Sequence, residues 1–305
     1  MNEFDIIKKY FYRPVEGLVK TGIGDDAAIL EIPQQQNLVV TTDTLISDVH
    51  FLANTSAFDI GYKSLAVNLS DLAAMGATPK WVTLALTMPH ADETWLTQFS
   101  QGFFELANYH QVQLIGGDMT HGPLSITVQA FGLIPHQQAL LRSKAKVHDL
   151  IYVSGTVGDA GLALAYLKKK KSASSFLSSR LNRPEPRVEL GKNLLSFAHA
   201  AIDISDGLYT DLKHILDESK VGANLYVEKI PLSPEVKTTL TKDAAITLAL
   251  TSGDDYELCF TIPADKKNLL ENLNLPCTCI GEIIEARELN LFYSNGKKYL
   301  SLIHI

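Results

Sequence analysis

The chain has 305 residues, with 34 Asp and Glu against 27 Lys and Arg for a formal net charge of -7, and 46% of its residues are hydrophobic. This composition excludes a disordered chain, and 19 Gly with 12 Pro exclude a collagen-like or low-complexity one. The acidic balance argues against nucleic-acid binding, because a protein that neutralises phosphates carries a basic patch. At about 150 residues per domain, we expect two globular domains.

The N-terminal segment and the cysteines predict a cytoplasmic protein. Residues 1–20 include Glu3, Asp5 and Glu16 and have no uninterrupted apolar run, so they do not resemble a targeting signal. No apolar run approaches the roughly 18 residues of a membrane span. Three cysteines are an odd number in a long chain, which favours a reducing compartment over a disulfide framework.

Strand-like and helix-like segments alternate along the first part of the chain, residues 1–140. In chain order we predict a strand at 38–42, a helix at 62–75 that stops at Gly76, a helix at 99–109, and strands at 112–115 and 124–134. The strand at 112–115 runs into Gly116, Gly117 and Asp118. A linker-like stretch at 135–138 then precedes a second domain, residues 141–305.

The second part shows the same alternation, which favours an α/β or α+β architecture. We predict helices at 160–167 and 188–199, a strand-to-helix junction at 201–216, and strands at 151–153, 225–227, 258–262 and 278–284. Residues 168–183 begin with four lysines and continue with serines. Because adjacent lysines repel one another, we predict a solvated surface loop there.

Aspartates recur where predicted strands end or turns begin. They lie in the segments 22–26, 41–43, 116–118, 203–207 and 253–255. A single Asp-Gly pair is most simply a turn former or a helix cap. Five such segments favour a shared role, since clustered carboxylates repel and persist where cations hold them. Mg²⁺ is the expected cation, because it takes oxygen ligands from one or two carboxylates, water and phosphate.

The helix predicted at 62–75 adds a further acid. Its apolar residues lie nearly all round, which predicts a buried helix. Ser64, Asn68 and Asp71 share one face, and a buried polar stripe needs partners. The stripe is either a structural hydrogen-bond network or a face turned toward the metal site, and we favour the second.

Several residues keep two interpretations. Ser205 or Asp206 could cap the helix that follows, and the positive end of that helix is also a natural phosphate site. His50 is either a polar loop residue or a substrate contact. Arg142 could pair with a phosphate or with a surface acid. The common phosphate and catalytic motifs are absent, since the sequence has no G-x-x-x-x-G-K-[ST], H-R-D with D-F-G, G-x-S-x-G or H-E-x-x-H.

Together these motifs resemble the thiamine-monophosphate kinase family. The segments that carry the resemblance are 22–28, 41–45 with His50, 63–77, 114–118, 201–208 and 252–258. The glycine-aspartate elements are shared with a superfamily that includes aminoimidazole ribonucleotide synthetase and selenophosphate synthetase. The Asn-Leu-Ser-Asp helix combined with Ser-Gly-Asp-Asp-Tyr-Glu-Leu points to the thiamine enzymes.

The resemblance implies a two-domain α/β fold, a homodimer formed through the N-terminal domain, and transfer of the γ-phosphoryl group of ATP to thiamine monophosphate. It implies several Mg²⁺ ions, held by Asp26, Thr41, Thr42, Asp43, Asp71, Asp118, Asp203 and Asp206. It implies nucleotide contacts by Gly117, Asp118, Arg142 and Ser205. It implies contacts to thiamine monophosphate by His50 and Asp254.

Two positions depart from the family pattern. Asp254 stands where family members often have Glu, which is one methylene longer. The C-terminal tail, residues 299–305, lacks the aromatic residue that usually packs on the substrate, so either Tyr299 or an aliphatic residue substitutes or the affinity is weaker.

Two rival functions follow from the same motifs. A related synthetase acting on another acceptor is one, although the selenide enzyme usually has a reactive cysteine near an N-terminal glycine-rich loop, and no cysteine precedes Cys259 here. A noncatalytic thiamine-phosphate or nucleotide binding protein is the other, and retention of all the acids argues against it.

Overall fold

The computed structural model describes residues 3–299. The chain divides into two compact units, of which unit 1 comprises Met1–Leu72 and Ala77–Gln138 and unit 2 comprises Ala73–Gly76 and Ala139–Ile305. The domain boundary predicted from the sequence falls after residue 140. None of the helices within 3–299 is long and apolar enough to cross a membrane.

Ten α-helices are present in the described part of the chain. They are α1 Glu3–Ile6, α2 Ala57–Ala74, α3 Glu93–Tyr109, α4 Asp159–Lys168, α5 Ser175–Asn182, α6 Val188–Leu194, α7 Leu208–Ser219, α8 Pro234–Thr239, α9 Lys242–Thr251 and α10 Lys267–Glu271. A π-helical turn, Ile7–Phe11, follows α1, and 3₁₀ turns occur at Arg142–Lys144, Val227–Lys229 and Ala264–Lys266.

Twelve strands accompany them in residues 3–299. They are β1 Val19–Thr21, β2 Ile29–Leu30, β3 Gln36–Ile46, β4 Thr78–Met88, β5 Gln113–His121, β6 Ser125–Pro135, β7 Leu150–Ser154, β8 Ala200–Asp203, β9 Gly222–Tyr226, β10 Leu258–Ile262, β11 Cys277–Ile284 and β12 Leu289–Phe292.

Unit 1 is built on a four-stranded sheet in the order β3-β6-β4-β5, beside a small antiparallel pair of β1 and β2. The β3–β6 and β6–β4 pairs are antiparallel, and β4 and β5 are parallel. The sequence did not reveal β4, because Pro79 and the mixed residues around it obscure its alternation. Its pairing with β5 places Gly116, Gly117 and Asp118 within a strand.

Helix α2 is buried on nearly all sides, as its apolar pattern predicted. It approaches α3 closely through two glycines. A Cβ on Gly61 would lie 2.1 Å from the Phe99 carbonyl oxygen, and one on Gly102 would lie 2.0 Å from that of Phe58. The predicted stop is also confirmed, since Gly76 follows the helix with a φ of +75° that favours glycine.

Gly117 provides a sharp test of this sheet. Its φ is +153°, and an added Cβ would lie 1.9 Å from the carbonyl oxygen of Leu84 on β4. We expect Gly117→Ala to lower the free energy of unfolding by roughly 3 kcal/mol or more, because backbone must move to relieve the overlap. Gly116→Ala is the matched control, since its nearest contact would be a Thr83 methyl at 3.8 Å. Equal urea denaturation midpoints for the two variants would contradict the pairing.

Unit 2 contains a six-stranded sheet in the order β12-β9-β11-β7-β10-β8. Only the β12–β9 pair is parallel. Its main core combines side chains of the sheet with α7 and α9, and a second cluster joins α4, α5, α8 and α9. The cysteines Cys259, Cys277 and Cys279 are free and lie on β10 and β11.

The prediction of a surface loop at 168–183 is wrong for the second half of that segment. Lys169, Lys170 and Lys171 are exposed, but the serines that follow begin α5. The Ser174 hydroxyl accepts the backbone N–H of Leu177 and caps the helix, which buries Leu177 and Leu181. The serines therefore serve as a helix start rather than as a flexible linker. Helix α6 also ends at Leu194, five residues before its predicted end at 199.

Candidate active site

A group of oxygen donors lies between β3 and α2 in unit 1. Thr41 and Asp43 lie two positions apart on β3, so the side chains of these two residues share one face of the sheet. The Thr41 hydroxyl donates to Asp71 Oδ2 at 2.5 Å, and the Asp43 backbone N–H donates to Asn68 Oδ1 at 3.1 Å. The polar stripe of α2 thus makes structural hydrogen bonds and also places Asp71 near Asp43.

The electrostatics of this group suit a cation. Burial, and then the nearby Asp71 carboxylate, raise the pKa of Asp43 to about 6. Two carboxylates and a hydroxyl offer the hard oxygen ligands that Mg²⁺ prefers, and Mg²⁺ commonly keeps water and phosphate in its remaining positions. Within residues 3–299 there is no larger group of three or more His, Cys, Asp or Glu side chains arranged to hold a metal. The donors present therefore fit Mg²⁺ sites completed by a phosphorylated ligand.

Thr42 lies on the other face of β3. Its hydroxyl accepts a hydrogen bond from Gln129 Nε2 at 3.2 Å, and the neighbouring Thr44 pairs with Thr127 at 2.8 Å. The side chain of Thr42 therefore does not join the Asp43 and Asp71 group.

A groove of about 820 Å³ in unit 1 brings together three other predicted residues. Asp26, Gly117 and Asp118 line it, alongside apolar residues of the N-terminal helical segment such as Phe4 and Phe11. Both aspartates are exposed. An apolar groove with carboxylates and a glycine strand is a suitable place for a small ligand that has both an apolar part and a charged part.

His50 lies in the turn that follows β3. Its Nδ1 accepts the backbone N–H of Ile46 at 3.1 Å. An acceptor nitrogen carries no proton, so in the neutral ring the Nε2 nitrogen is the donor. His50 is exposed in unit 1.

A cavity of about 440 Å³ in unit 2 brings Ser205, Asp206 and Asp254 together. The other lining residues come from α4, α9 and the segment after α9: Ala160, Gly161, Leu164, Ala165, Lys168, Leu248, Ser252 and Gly253. Asp203 ends β8 just before this turn and is buried.

Of the two interpretations of Ser205 and Asp206, the capping of α7 is wrong. Neither Ser205 nor Asp206 caps the helix, since its N-cap residue is Gly207 and has no side chain. Instead Asp211, inside the helix, accepts the backbone N–H groups of Ser205, Asp206 and Gly207 at 3.0, 3.0 and 3.1 Å. Burial raises the pKa of Asp211 to about 6 against the lowering effect of these bonds. Asp211 therefore fixes the turn that presents Ser205 and Asp206.

Sequence reasoning missed two arginines that hold the Ser-Gly-Asp-Asp-Tyr-Glu-Leu segment. The carboxylate of Glu257 is fully buried and accepts from Arg187 Nε at 2.7 Å and Nη2 at 2.6 Å, and from Arg180 Nη2 at 2.9 Å. Burial opposes its charge, yet the hydrogen bonds of Arg187 hold the pKa of Glu257 below its usual value. The pairs join residues 70 and 77 positions apart, so no local pattern reveals them.

Arg142 and Tyr299 occupy other parts of unit 2. Arg142 is exposed in a 3₁₀ turn, and its carbonyl oxygen accepts the Ser219 hydroxyl. Tyr299 is buried, and its hydroxyl is 2.7 Å from that of Thr247. Its ring belongs to the main core of unit 2. The rest of the tail, residues 300–305, lies outside the described residues.

Comparison with known proteins identifies the family. Models described as AIR synthase related protein, N-terminal domain and C-terminal domain, match residues 24–134 and 146–294. A thiamine-monophosphate kinase of Haemophilus influenzae is 48% identical over 295 residues, which cover 93% of this chain and 90% of that protein. The chain belongs to the thiamine-monophosphate kinase family.

Solved structures of this family have the same fold. A crystal structure of thiamine-monophosphate kinase from Stenotrophomonas maltophilia matches with a TM-score of 0.87 and 48% identity over 92% of each chain. A structure of AaThiL complexed with AMPPCP and TMP matches with a TM-score of 0.78 and 33% identity, over 91% of this chain and 89% of that one. The predicted family and the predicted two-domain α/β fold are both confirmed.

Proposed function

We propose that this chain transfers the γ-phosphoryl group of ATP to thiamine monophosphate and so makes thiamine diphosphate. The observation that carries the proposal is the 48% identity with a thiamine-monophosphate kinase across nearly the whole chain. The geometry supports it, since oxygen donors of unit 1 and a cavity of unit 2 hold the side chains that such a reaction requires.

The proposed site residues fall into three groups, which bind Mg²⁺, ATP and thiamine monophosphate. Of the proposed Mg²⁺ ligands, Asp43, Asp71 and Thr41 are the ones that lie close to one another. Asp26, Thr42, Asp118, Asp203 and Asp206 complete the proposed ligands of several Mg²⁺ ions, and Thr42 can contribute only through a change of side-chain partner or through its carbonyl oxygen. For ATP we propose Gly117, Asp118, Arg142 and Ser205, and for thiamine monophosphate we propose His50 and Asp254. When bound, Mg²⁺ neutralises the charges of two polyanions that must meet.

The reaction needs no general base. A phosphate monoester has a second pKa near 6, so its attacking oxygen is already largely ionised at pH 7. The site residues then bind the acceptor and align its phosphate oxygen with the γ-phosphoryl group of ATP for direct in-line transfer. A phospho-aspartate trapped by acid quench in a single turnover would contradict direct transfer.

A comparison of thiamine monophosphate with other phosphoryl acceptors tests the proposed kinase function. The purified chain is incubated with ATP, MgCl₂ and either thiamine monophosphate, thiamine or no acceptor, and thiamine diphosphate is quantified by chromatography. We expect it to form from thiamine monophosphate with one ADP per product. ATP consumption that does not depend on thiamine monophosphate would instead favour a related synthetase, and nucleotide binding without turnover would favour a binding protein.

The proposed active form is a homodimer joined through unit 1. Leu38, Val40 and Ile46 lie on one face of the edge strand β3 and are 40%, 48% and 40% exposed. Exposed apolar side chains on an edge strand, here with the exposed Thr42 and Thr44 between Val40 and Ile46, suit an interface. In sedimentation velocity we expect twice the chain mass of 33.5 kDa. Val40→Asp is expected to give monomers, whereas Val49→Asp, on a turn residue that is 71% exposed, is expected to leave the dimer intact. A wild-type monomer would contradict the dimer.

We place this activity in the cytoplasm. Cys259, Cys277 and Cys279 are all free thiols, which suits a reducing compartment.

A further inference from the structure

The segment 252–257 links α9 to β10 and has an unusual backbone. Asp254 and Tyr256 have φ values of +67° and +51°, in the left-handed region that residues with a Cβ seldom occupy. Such conformations persist where the surroundings determine them, and they often occur at functional sites. The segment therefore has to be held from several sides.

The inward side chains of the segment are firmly anchored. Asp255 and Glu257 are buried, and Asp255 Oδ2 accepts the backbone N–H of Gly158 at 2.7 Å at the start of α4. Arg180 binds Glu257 and also donates to the carbonyl oxygen of Thr156 at 3.0 Å. These bonds fix the backbone on both sides of Tyr256.

The other anchors join the segment to the turn after β8. The backbone N–H groups of Asp254 and Tyr256 donate to the carbonyl oxygens of Ser205 and Ile204 at 2.9 and 2.8 Å. A Cβ on Gly253 would lie 2.1 Å from the Ser205 carbonyl oxygen, so only glycine permits this approach. The turn and the segment consequently form one rigid wall of the cavity in unit 2.

The side chains of Tyr256 and Asp254 meet on this wall. The Tyr256 hydroxyl donates to Asp254 Oδ1 at 3.0 Å, and Tyr256 is itself mostly buried. Asp254 lines the cavity with Ser205 and Asp206. The Asp254 side chain is short, so the direction of its carboxylate decides what it can contact in the cavity.

We propose that Tyr256 is a positioning residue for substrate recognition, whose hydroxyl holds the Asp254 carboxylate toward the cavity where it binds thiamine monophosphate. The inference rests on the proposed function. The thiazolium ring of the substrate carries a positive charge, and an oriented carboxylate attracts such a charge. The Tyr256 hydroxyl bonds Asp254 and not the ATP contact proposed at Ser205, so we expect a larger effect on thiamine monophosphate than on ATP.

Steady-state kinetics of Tyr256→Phe test this directly. We expect the KM for thiamine monophosphate to rise about three- to tenfold, because the variant loosens the orientation of the Asp254 carboxylate without removing its charge, with kcat and the KM for ATP changed by less than about twofold. Tyr293→Phe is the matched control, because its hydroxyl donates to Asp243 Oδ1 at 2.9 Å and neither residue lines the cavity. We expect that variant to keep both KM values.

A double-variant cycle shows whether Tyr256 acts through Asp254. In an Asp254→Ala background, Tyr256→Phe should have little further effect on the KM for thiamine monophosphate. An unchanged KM in Tyr256→Phe, an equal rise in both KM values, or a full additional rise in the Asp254→Ala background would overturn the inference while leaving the kinase function standing. A wild-type chain that makes no thiamine diphosphate would overturn the function and this inference with it.

Discussion

Asp43→Asn is expected to lower the rate of thiamine diphosphate formation by about 100- to 1000-fold at saturating substrates. The substitution keeps the size of the side chain and removes one of the two carboxylates beside Thr41 that fit a Mg²⁺ ion. Charge neutralisation by bound metal supplies several kcal/mol in phosphoryl transfer, and each ~1.4 kcal/mol is tenfold in rate.

The same variant should not unfold more easily. In the absence of metal, burial and the nearby Asp71 carboxylate both disfavour the charge of Asp43, so removing that charge relieves repulsion. We expect the melting temperature in EDTA to be equal to or above that of the wild type.

Asp92→Asn provides the control for Asp43→Asn. Asp92 caps α3 by accepting the N–H groups of Thr94 and Trp95, and asparagine caps helices equally well. Its activity should therefore match that of the wild type. An Asp43→Asn variant with more than about a tenth of wild-type activity would contradict the proposed metal site, because the loss would then be below ~1.4 kcal/mol.

Arg187→Met is expected to lower the free energy of unfolding by about 3–5 kcal/mol. The variant leaves the buried Glu257 carboxylate without two of its hydrogen bonds, and removing one partner of a buried ion pair is costly. Arg180 Nη2 still donates to Glu257 Oε1 at 2.9 Å in the variant. Part of the carboxylate's charge therefore stays compensated, and we do not expect the loss to exceed this range. Urea denaturation at pH 7 measures it.

Lys192→Met is the control for the buried pair. Lys192 forms an exposed ion pair with Glu189 at 3.0 Å, and exposed pairs contribute about 0–1 kcal/mol. Similar losses for the two variants would show that burial of Glu257 does not govern the stability of unit 2.

Local patterns predicted much of the fold. The buried helix α2, its glycine stop and most strands were predicted because periodicity and turn residues act over a few positions. Strand β4 and helix α5 were missed for physical reasons. Pro79 interrupts the pattern of β4, and the serines before α5 have the composition of a loop although one of them caps the helix. Burial of Leu177 and Leu181 against other helices decides the outcome, and tertiary packing is not visible in the local sequence.

The candidate site was predicted unevenly for a similar reason. Asp71 on the polar face of α2, and the aspartates that follow short strand-like runs, could be selected because short spacings place them, although Asp43 and Asp118 lie within β3 and β5 rather than at strand ends. The hydrogen bond from Tyr256 to Asp254 depends on two left-handed residues that nothing in the local sequence requires. Arg180 and Arg187 reach Glu257 from distant parts of unit 2, so only the folded chain shows that they support the site.

Transfer of label from [γ-³²P]ATP to thiamine monophosphate separates a thiamine-monophosphate kinase from an ATPase and from a binding protein. With the wild-type chain and MgCl₂, we expect labelled thiamine diphosphate to accumulate in step with ADP, and none to form with excess EDTA. Release of the label only as inorganic phosphate, or no consumption of ATP by a folded chain that binds both substrates, would contradict the assignment as a thiamine-monophosphate kinase.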